Sequence, residues 1–351
     1  MITVAVDACG ADLGPREVAA GAALAAAHGV GVLLFGPRTQ IGAMRHSGVE
    51  VVDAPISIAK APDPVAAVRS TPAASIVQAA RAVSDGRAQA LVSGGSTGGA
   101  IAAGLFQLGR DRGIYRPALA LPIPMPDAPP VLLLDVGANV LCRPEHLVQF
   151  AHMGAAFARA VLGIDAPRVA LLSNGQEPAK GTPDLVAVHQ RLAGPGGRGL
   201  SFIGNVEGDR VTDGVADVVV TDGFTGNITL KLIEGVSART LRAIRSAATT
   251  STRAKLGGWL LLPAVRALRQ EIDPESAGAA YMLGLRRVGV VAHGRFTRRG
   301  FARAIEVAAH GVQEDVVGRT SAALAAAGAL RPPRGGAPPA ASEPAATVSK
   351  R

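Results

Sequence analysis

Three times along this 351-residue chain, a short apolar run empties into a glycine-rich turn and then into a helical pattern. Ala90-Leu91-Val92 leads into Ser93-Gly94-Gly95-Ser96-Thr97-Gly98-Gly99. Val131-Leu132-Leu133-Leu134 leads into Asp135-Val136-Gly137-Ala138-Asn139. Val218-Val219-Val220 leads into Thr221-Asp222-Gly223-Phe224-Thr225-Gly226-Asn227. A buried strand followed by small residues and a helix start gathers unpaired backbone N–H groups at the positive end of a helix dipole. Such turns suit an anion, phosphate above all. One turn would say little. Three, each with Asn, Asp, Ser or Thr at the tip, point to a site for phosphate or a phosphorylated substrate.

The rest of the chain repeats the same alternation. Strand patterns fall at 2–6, 30–35, 49–53, 90–92, 118–122, 131–134, 169–172, 202–203, 215–220 and 288–292. Helical patterns fall at 16–27, 73–83, 99–108, 144–162, 183–192 and 228–246. Short connections between them imply a mainly parallel sheet covered on both faces, with no internal repeat. This predicts one α/β domain over 1–330. Residues 249–275 break the pattern, pairing an apolar cluster at 256–262 with flanking Arg253, Lys255, Arg266 and Arg269. A tail over 331–351, made largely of Pro, Ala and Gly, buries too little surface to offset its ordering entropy and is expected to be disordered.

Composition excludes several classes. No apolar run is long enough for a transmembrane span. The start lacks the basic region of a signal peptide, so a cytoplasmic protein is expected. Cys9 and Cys142 are too few for a disulfide scaffold and lack zinc-type spacing; both read as packing residues. The net charge of +9 is concentrated: residues 239–303 hold thirteen Arg plus Lys against three acids. A basic lobe on a near-neutral body suits an acidic partner or an anionic membrane surface. With only 3% aromatic residues and no nucleic-acid-binding signature, nucleic acid is not expected.

Several segments, in this order, resemble the PlsX family of bacterial phosphate acyltransferases, which act on acyl carrier protein and phosphate. They are the amino-terminal stretch from Val6 to Pro15, the Ser93–Gly99 turn and the segment from Leu134 to Asn139, followed by Cys142-Arg143-Pro144-Glu145-His146. Further on come Phe202-Ile203-Gly204-Asn205-Val206-Glu207-Gly208 and Ala216-Asp217-Val218-Val219-Val220-Thr221-Asp222-Gly223-Phe224-Thr225-Gly226-Asn227. The likeness covers essentially residues 1–320. It implies a Rossmann-like three-layer α/β/α fold, akin to isopropylmalate dehydrogenases and phosphotransacetylases, with a basic helical protrusion near 240–285. It also implies a homodimer, and transfer of a fatty acyl group from acyl carrier protein to inorganic phosphate without a cofactor or metal. The acyl phosphate would feed a membrane glycerol-3-phosphate acyltransferase at the start of phospholipid synthesis. The chain departs from the family pattern at Ser96, where Asn is usual, at Cys9-Gly10-Ala11-Asp12-Leu13, and at Arg295 and Phe296 after His293-Gly294.

Phosphate attacking a thioester needs donors and charge stabilisation more than a protein nucleophile. The glycine turns would supply donors through Gly10, Ser96, Thr97, Gly98, Asn139, Gly223 and Gly226. Asp7, Asp135 and Asp222 sit at strand ends, where such sheets bind ligands, and read as loop braces there rather than as bases. Lys180 lies in Asn174-Gly175-Gln176-Glu177-Pro178-Ala179-Lys180-Gly181 and matches the family's lysine. In a chain with 31 Arg and five Lys it is expected to bind phosphate and offset developing charge. Asn227 reads equally as a helix cap and as a substrate contact. Lys231, one turn after Asn227, could face the same site but reads better as an exposed helix lysine, and His146 reads as a core or surface residue. His293 reads as a turn histidine or as the donor to the departing thiol. Trp259 and Leu261, with the arginines around them, read either as a membrane-contacting tip or as part of a dimer interface. Two other functions remain open on sequence alone: an isopropylmalate-type dehydrogenase, and an inactive scaffold that keeps carrier and membrane contacts.

Overall fold

Along each central strand, successive side chains enter two different apolar layers. Val4 and Val6 pack into one and Ala5 into the other; Leu132 and Leu134 are likewise separated from Leu133, and Val218 and Val220 from Val219. Uninterrupted apolar runs of this kind therefore mark strands buried on both faces. The computed structural model describes residues 1–44, 47–126 and 128–332.

The strands are β1 (Thr3–Asp7), β2 (Gly31–Gly36), β3 (Val49–Asp53), β4 (Ala90–Ser93), β5 (Ala118–Met125), β6 (Ala128–Leu134), β7 (Arg168–Leu172), β8 (Ser201–Val206), β9 (Val218–Val220), β10 (Ala280–Leu283) and β11 (Val288–Val291). They form one 11-stranded sheet in the order β3-β2-β1-β4-β11-β10-β5-β6-β9-β7-β8. β10 is antiparallel to both β11 and β5, and β6 is antiparallel to β5. The other ladders are parallel. The sheet thus has two parallel halves, one built on β1 to β4 with β11, the other on β6 to β9, and their strands run in opposite directions.

Helices Pro15–Ala27, Pro144–Val161 and Arg298–Gln313 cover one face of the sheet. Ser75–Ser84 and Thr97–Ala103 cover the other. The three-layer α/β/α architecture expected from the sequence is what forms. A short helix at Pro64–Ser70, capped by Asp63, was not visible in the apolar periodicity.

Two helices stand away from the core. In Gly223–Ala247 only Gly223 and Gly226 are buried, and in Thr252–Glu271 no residue is. The segment that breaks the strand-helix alternation is therefore mainly a second long helix, with Ser251 accepting from the Ala254 N–H at its start and Pro263 inside it. Arg331, the first residue of the expected tail, donates its N–H to the Gly113 carbonyl at 2.7 Å. Residues 333–351 lie outside the described residues.

Candidate functional site

Of the three glycine turns, two are filled by their own aspartates. Asp135, fully buried at the end of β6, accepts from the N–H groups of Leu119, Gly137, Ala138 and Asn139 at 2.8–3.0 Å. The Asn139 carboxamide donates to it at 2.8 Å and to the Pro117 carbonyl at 2.7 Å. Burial raises the Asp135 pKa above the usual carboxylate value, against the effect of these bonds. The carboxylate is the anion this loop was built around, so Asp135 and Asn139 brace the turn.

Asp222 does the same after β9. Its Oδ1 accepts from the Phe224 and Thr225 N–H groups at 3.0 and 2.9 Å, and its Oδ2 from the Thr225 hydroxyl at 2.8 Å. The Gly223 N–H donates to the Asn139 carbonyl and the Gly226 N–H to the Asp222 carbonyl. All four leading amides of the helix are thereby satisfied. Asp222, rather than Asn227, is the cap, and the helix starts at Gly223 rather than at 228. Glycine is required here because a Cβ on Gly226 would stand 1.9 Å from the Asp135 carbonyl oxygen. That close approach locks the two closed turns together.

The Ser93–Gly99 turn is different. Asp7, buried at the end of β1, accepts from the Ser75 hydroxyl at 2.6 Å, the Ser93 hydroxyl at 2.8 Å and the Cys9 N–H at 3.0 Å. Burial raises its pKa from 3.8 to about 6. Ser93 Oγ in turn accepts from the Gly95 N–H at 3.2 Å, so Asp7 reaches the turn only through a hydroxyl. Ser96 caps the following helix by accepting from the Gly99 N–H at 3.1 Å. The amides of Ser96, Thr97 and Gly98 have no partner among the described residues, and Thr97 and Gly98 are exposed. A small cleft runs between this turn and Ser57–Ala59, floored by Asp7 and Ser75. Gly10, at φ +106°, lets the β1 loop close on Gly95, where a Cβ would fall 2.9 Å from the Gly95 Cα.

His293 follows β11, the strand next to β4. Val291 pairs with Ser93 and the Ala292 N–H donates to the Ser93 carbonyl at 2.9 Å, so His293 leaves the sheet beside the start of this turn. The Asp12 N–H donates to the Gly294 carbonyl at 2.8 Å, tying the β1 loop to the same turn. From the other half of the sheet the long helix crosses to meet it. Asn227 is exposed on its first turns, beside Gly137. Lys231, four residues and about 6 Å of helix rise further on, brings Nζ within 3.4 Å of His293 Nε2 and 2.9 Å of the Glu234 carboxylate. Burial, and then the Lys231 charge, lower the His293 pKa below the ordinary imidazole value.

The closed and open turns are thus linked through Asn227, Lys231 and His293. For Lys231 the structure favours the alternative that the one-turn step from Asn227 offers over the exposed-lysine reading; Ser75 and Ser93 carry no assigned role in the sequence. Nothing local marks Ser75, which is 68 residues from Asp7. Lys180 is exposed, its stem packed on Gly175, and its N–H donates to the Glu177 carbonyl at 3.0 Å. Its ammonium has no ion pair among the described residues, and its turn leaves β7, the neighbour of β9. Burial together with Asp135 and Asp222 pushes the Cys142 thiol up to about 12, and burial also raises Cys9. Neither is poised as a thiolate nucleophile. On the protruding helix Trp259 and Leu261 are 68% and 61% exposed, among exposed Arg253, Lys255, Arg266 and Arg269.

Residues 2–319 match the model of a family described as fatty acid synthesis protein. A phosphate acyltransferase of Moorella thermoacetica is 42% identical over 320 residues, which are 90% of this chain and 93% of that protein. One of Pelotomaculum thermopropionicum is 40% identical over 316 residues, covering 88% and 91%. Among solved structures, a phosphotransacetylase from Streptococcus pyogenes superposes with a TM-score of 0.59 at 16% identity, over 89% of this chain and 94% of that one. At that identity the superposition speaks for the fold alone.

Proposed function

This chain belongs to the PlsX family of phosphate acyltransferases and is an acyltransferase, and we propose that it moves a fatty acyl group from acyl carrier protein to inorganic phosphate. The observation that carries the reading is the open Ser96–Gly98 turn: three unpartnered amides at a helix start, beside His293 and Lys231. Hydrogen phosphate takes those amides. One of its oxygens attacks the thioester carbonyl carbon, a C–O bond forms, and the C–S bond breaks to give acyl phosphate and the carrier thiol. The proton of hydrogen phosphate ends on the departing sulfur. His293 relays it: the neutral ring, kept so by burial and Lys231, gives its Nε2 proton to the sulfur and takes the phosphate proton back at the same nitrogen. Lys180 and the Asn227 carboxamide offset the charge that collects on the thioester oxygen. Asp7, Asp135 and Asp222 hold the loops, with Gly10, Gly223 and Gly226 permitting their close approach.

Replacing Thr97 by Pro tests this directly. Thr97 is the first helical residue, where proline is tolerated, and Ser96 at φ −68° and ψ 137° suits a following proline. The variant deletes one free amide together with the exposed Thr97 hydroxyl, both at the proposed phosphate site. A charge-assisted hydrogen bond is lost, so the KM for phosphate rises by about tenfold or more at unchanged melting temperature. An unchanged KM removes phosphate from this turn.

The finer parts of the reading rest on the protrusion. Its exposed arginines offer a docking field for an acidic carrier protein, with salt-dependent association. The exposed Trp259 and Leu261, set among cations, suit peripheral contact with an anionic membrane, where the acyl phosphate passes to a glycerol-3-phosphate acyltransferase for phospholipid synthesis. No helix among the described residues is long and apolar enough to cross a membrane. The long helix also carries an exposed apolar line, Phe224, Ile228, Leu232 and Val236, that suits a homodimer. Flotation with anionic vesicles separates the two uses of the protrusion. A Trp259→Glu/Leu261→Glu variant is expected to stay with the soluble fraction while wild type floats; equal flotation ends the membrane assignment.

A further inference from the structure

His293 faces two donors with only one lone pair to give. Its Nδ1 accepts the Arg295 N–H at 3.2 Å. A ring nitrogen that accepts a backbone N–H carries no proton of its own, so neutral His293 holds its proton on Nε2. That Nε2–H faces the Lys231 ammonium at 3.4 Å, donor against donor. The alternative tautomer relieves that clash only by setting Nδ1–H against the Arg295 N–H. Neither neutral form satisfies both neighbours. The mismatch disappears when an anionic oxygen enters between Nε2 and Nζ, because both groups then donate to it and Nδ1 keeps its backbone partner.

From this we infer that Lys231 and His293 form a two-donor clamp for an oxygen of hydrogen phosphate, and that Lys231, not Lys180, is the cation that binds it. The inference rests on the reading that phosphate is the acyl acceptor at the Ser96–Gly98 turn. The clamp stands at that turn's edge, since the Ala292 N–H donates to the Ser93 carbonyl and Gly294 packs on the Gly94 carbonyl. Phosphate is thereby held between amides from one half of the sheet and an ammonium from the other. Glu234, one helical turn beyond Lys231, is the resident acceptor for Nζ at 2.9 Å. It orients the ammonium toward His293 when phosphate is absent. Asp12 and Arg295 are the other charges that act on the ring, and they oppose each other.

The experiment uses the full chain. In wild type, nitrogen-15 spectra of the imidazole should show His293 protonated at Nε2 and bare at Nδ1, and inorganic phosphate should shift the Nε2–H signal. Lys231→Gln should raise the phosphate Kd by about tenfold or more, with the KM for the acyl donor unmoved. Lys231→Arg, which keeps the charge but swaps a compact ammonium for a longer planar fork, should lose less phosphate affinity than Lys231→Gln. Lys180→Gln should leave the phosphate Kd unchanged. Wild-type phosphate affinity in Lys231→Gln, or a proton on His293 Nδ1, overturns the clamp. If Thr97→Pro weakens phosphate while Lys231→Gln does not, the clamp falls and the acceptor reading stands. If neither variant weakens it, both fall.

Discussion

The turn after β6 and the turn after β4 start from the same recipe, an apolar strand ending in glycine and small polar residues, and finish as opposites. Asp135 sits inside its turn and takes four backbone amides and a carboxamide. Asp7 sits beneath the other turn and touches it only through the Ser93 hydroxyl, which leaves the Ser96, Thr97 and Gly98 amides free. An internal carboxylate satisfies the amides of its turn; without one, the amides stay free to donate. A glycine-rich turn is therefore read by asking which anion fills it. In the second half of the sheet the chain supplies its own, at Asp135 and at Asp222. In the first half the Ser96, Thr97 and Gly98 amides have no partner among the described residues, and we propose that substrate phosphate takes them.

The largest test of this contrast is to empty a closed turn. Asp135→Ala strands five donors around a fully buried side chain, two of them, the Gly137 and Ala138 amides, in half-buried backbone beneath the start of the long helix. Part of the loss is recovered by entering water, and roughly 3–5 kcal/mol of stability should go, by analogy with other broken buried networks. In the open turn, Ser96→Ala removes one cap bond and should cost about 1 kcal/mol. Urea unfolding of both variants measures the difference. Equal losses would mean that the two turns do the same job, and the division between scaffold and site would be gone.

Much of this was legible in the residues. Apolar runs broken by helical periodicity gave ten of the eleven strands described, missing β10 as well as the helix Arg298–Gln313, and the family resemblance gave the fold and the acyltransferase class. The alternation did not reveal the antiparallel pairings of β10, β5 and β6. A buried strand reads the same in either direction, and only the length of its connections separates the two. Nor did it separate open from closed turns. The Asp that leads its turn, as in Asp135-Val136-Gly137, folds back onto the following amides; Ser93-Gly94-Gly95 offers only a hydroxyl there. That one-residue difference is visible in sequence once its meaning is known. The Asp7–Ser75 bond is not, because it joins distant segments, and the contact between Lys231 and His293 depends on where a helix crosses a sheet.

A smaller and more pointed test lies under the open turn. Asp7 titrates at about 6 instead of 3.8 because burial outweighs its three hydrogen bonds. The folded-state pKa is raised, so the stability contributed by this group is full below pH 3.8 and is lost as pH rises through about 6. A shift of about two units corresponds to about 3 kcal/mol. Asp7→Asn removes the titration, so between pH 4 and pH 7 wild type should lose up to about that much stability relative to the variant. What counts is the slope, because Asn also alters the bonds to Ser75 and Ser93 and so sets a different offset. A flat difference across that range would show that Asp7 is solvated as well as bonded, and that the floor of the cleft is wet. A falling one means that the protein keeps a costly carboxylate beneath the turn, held by Ser75 and Ser93 hydroxyls and the Cys9 amide and kept off the amides above it. Filling those amides from within would relieve the carboxylate and close the site, which is what the second half of the sheet has done with Asp135.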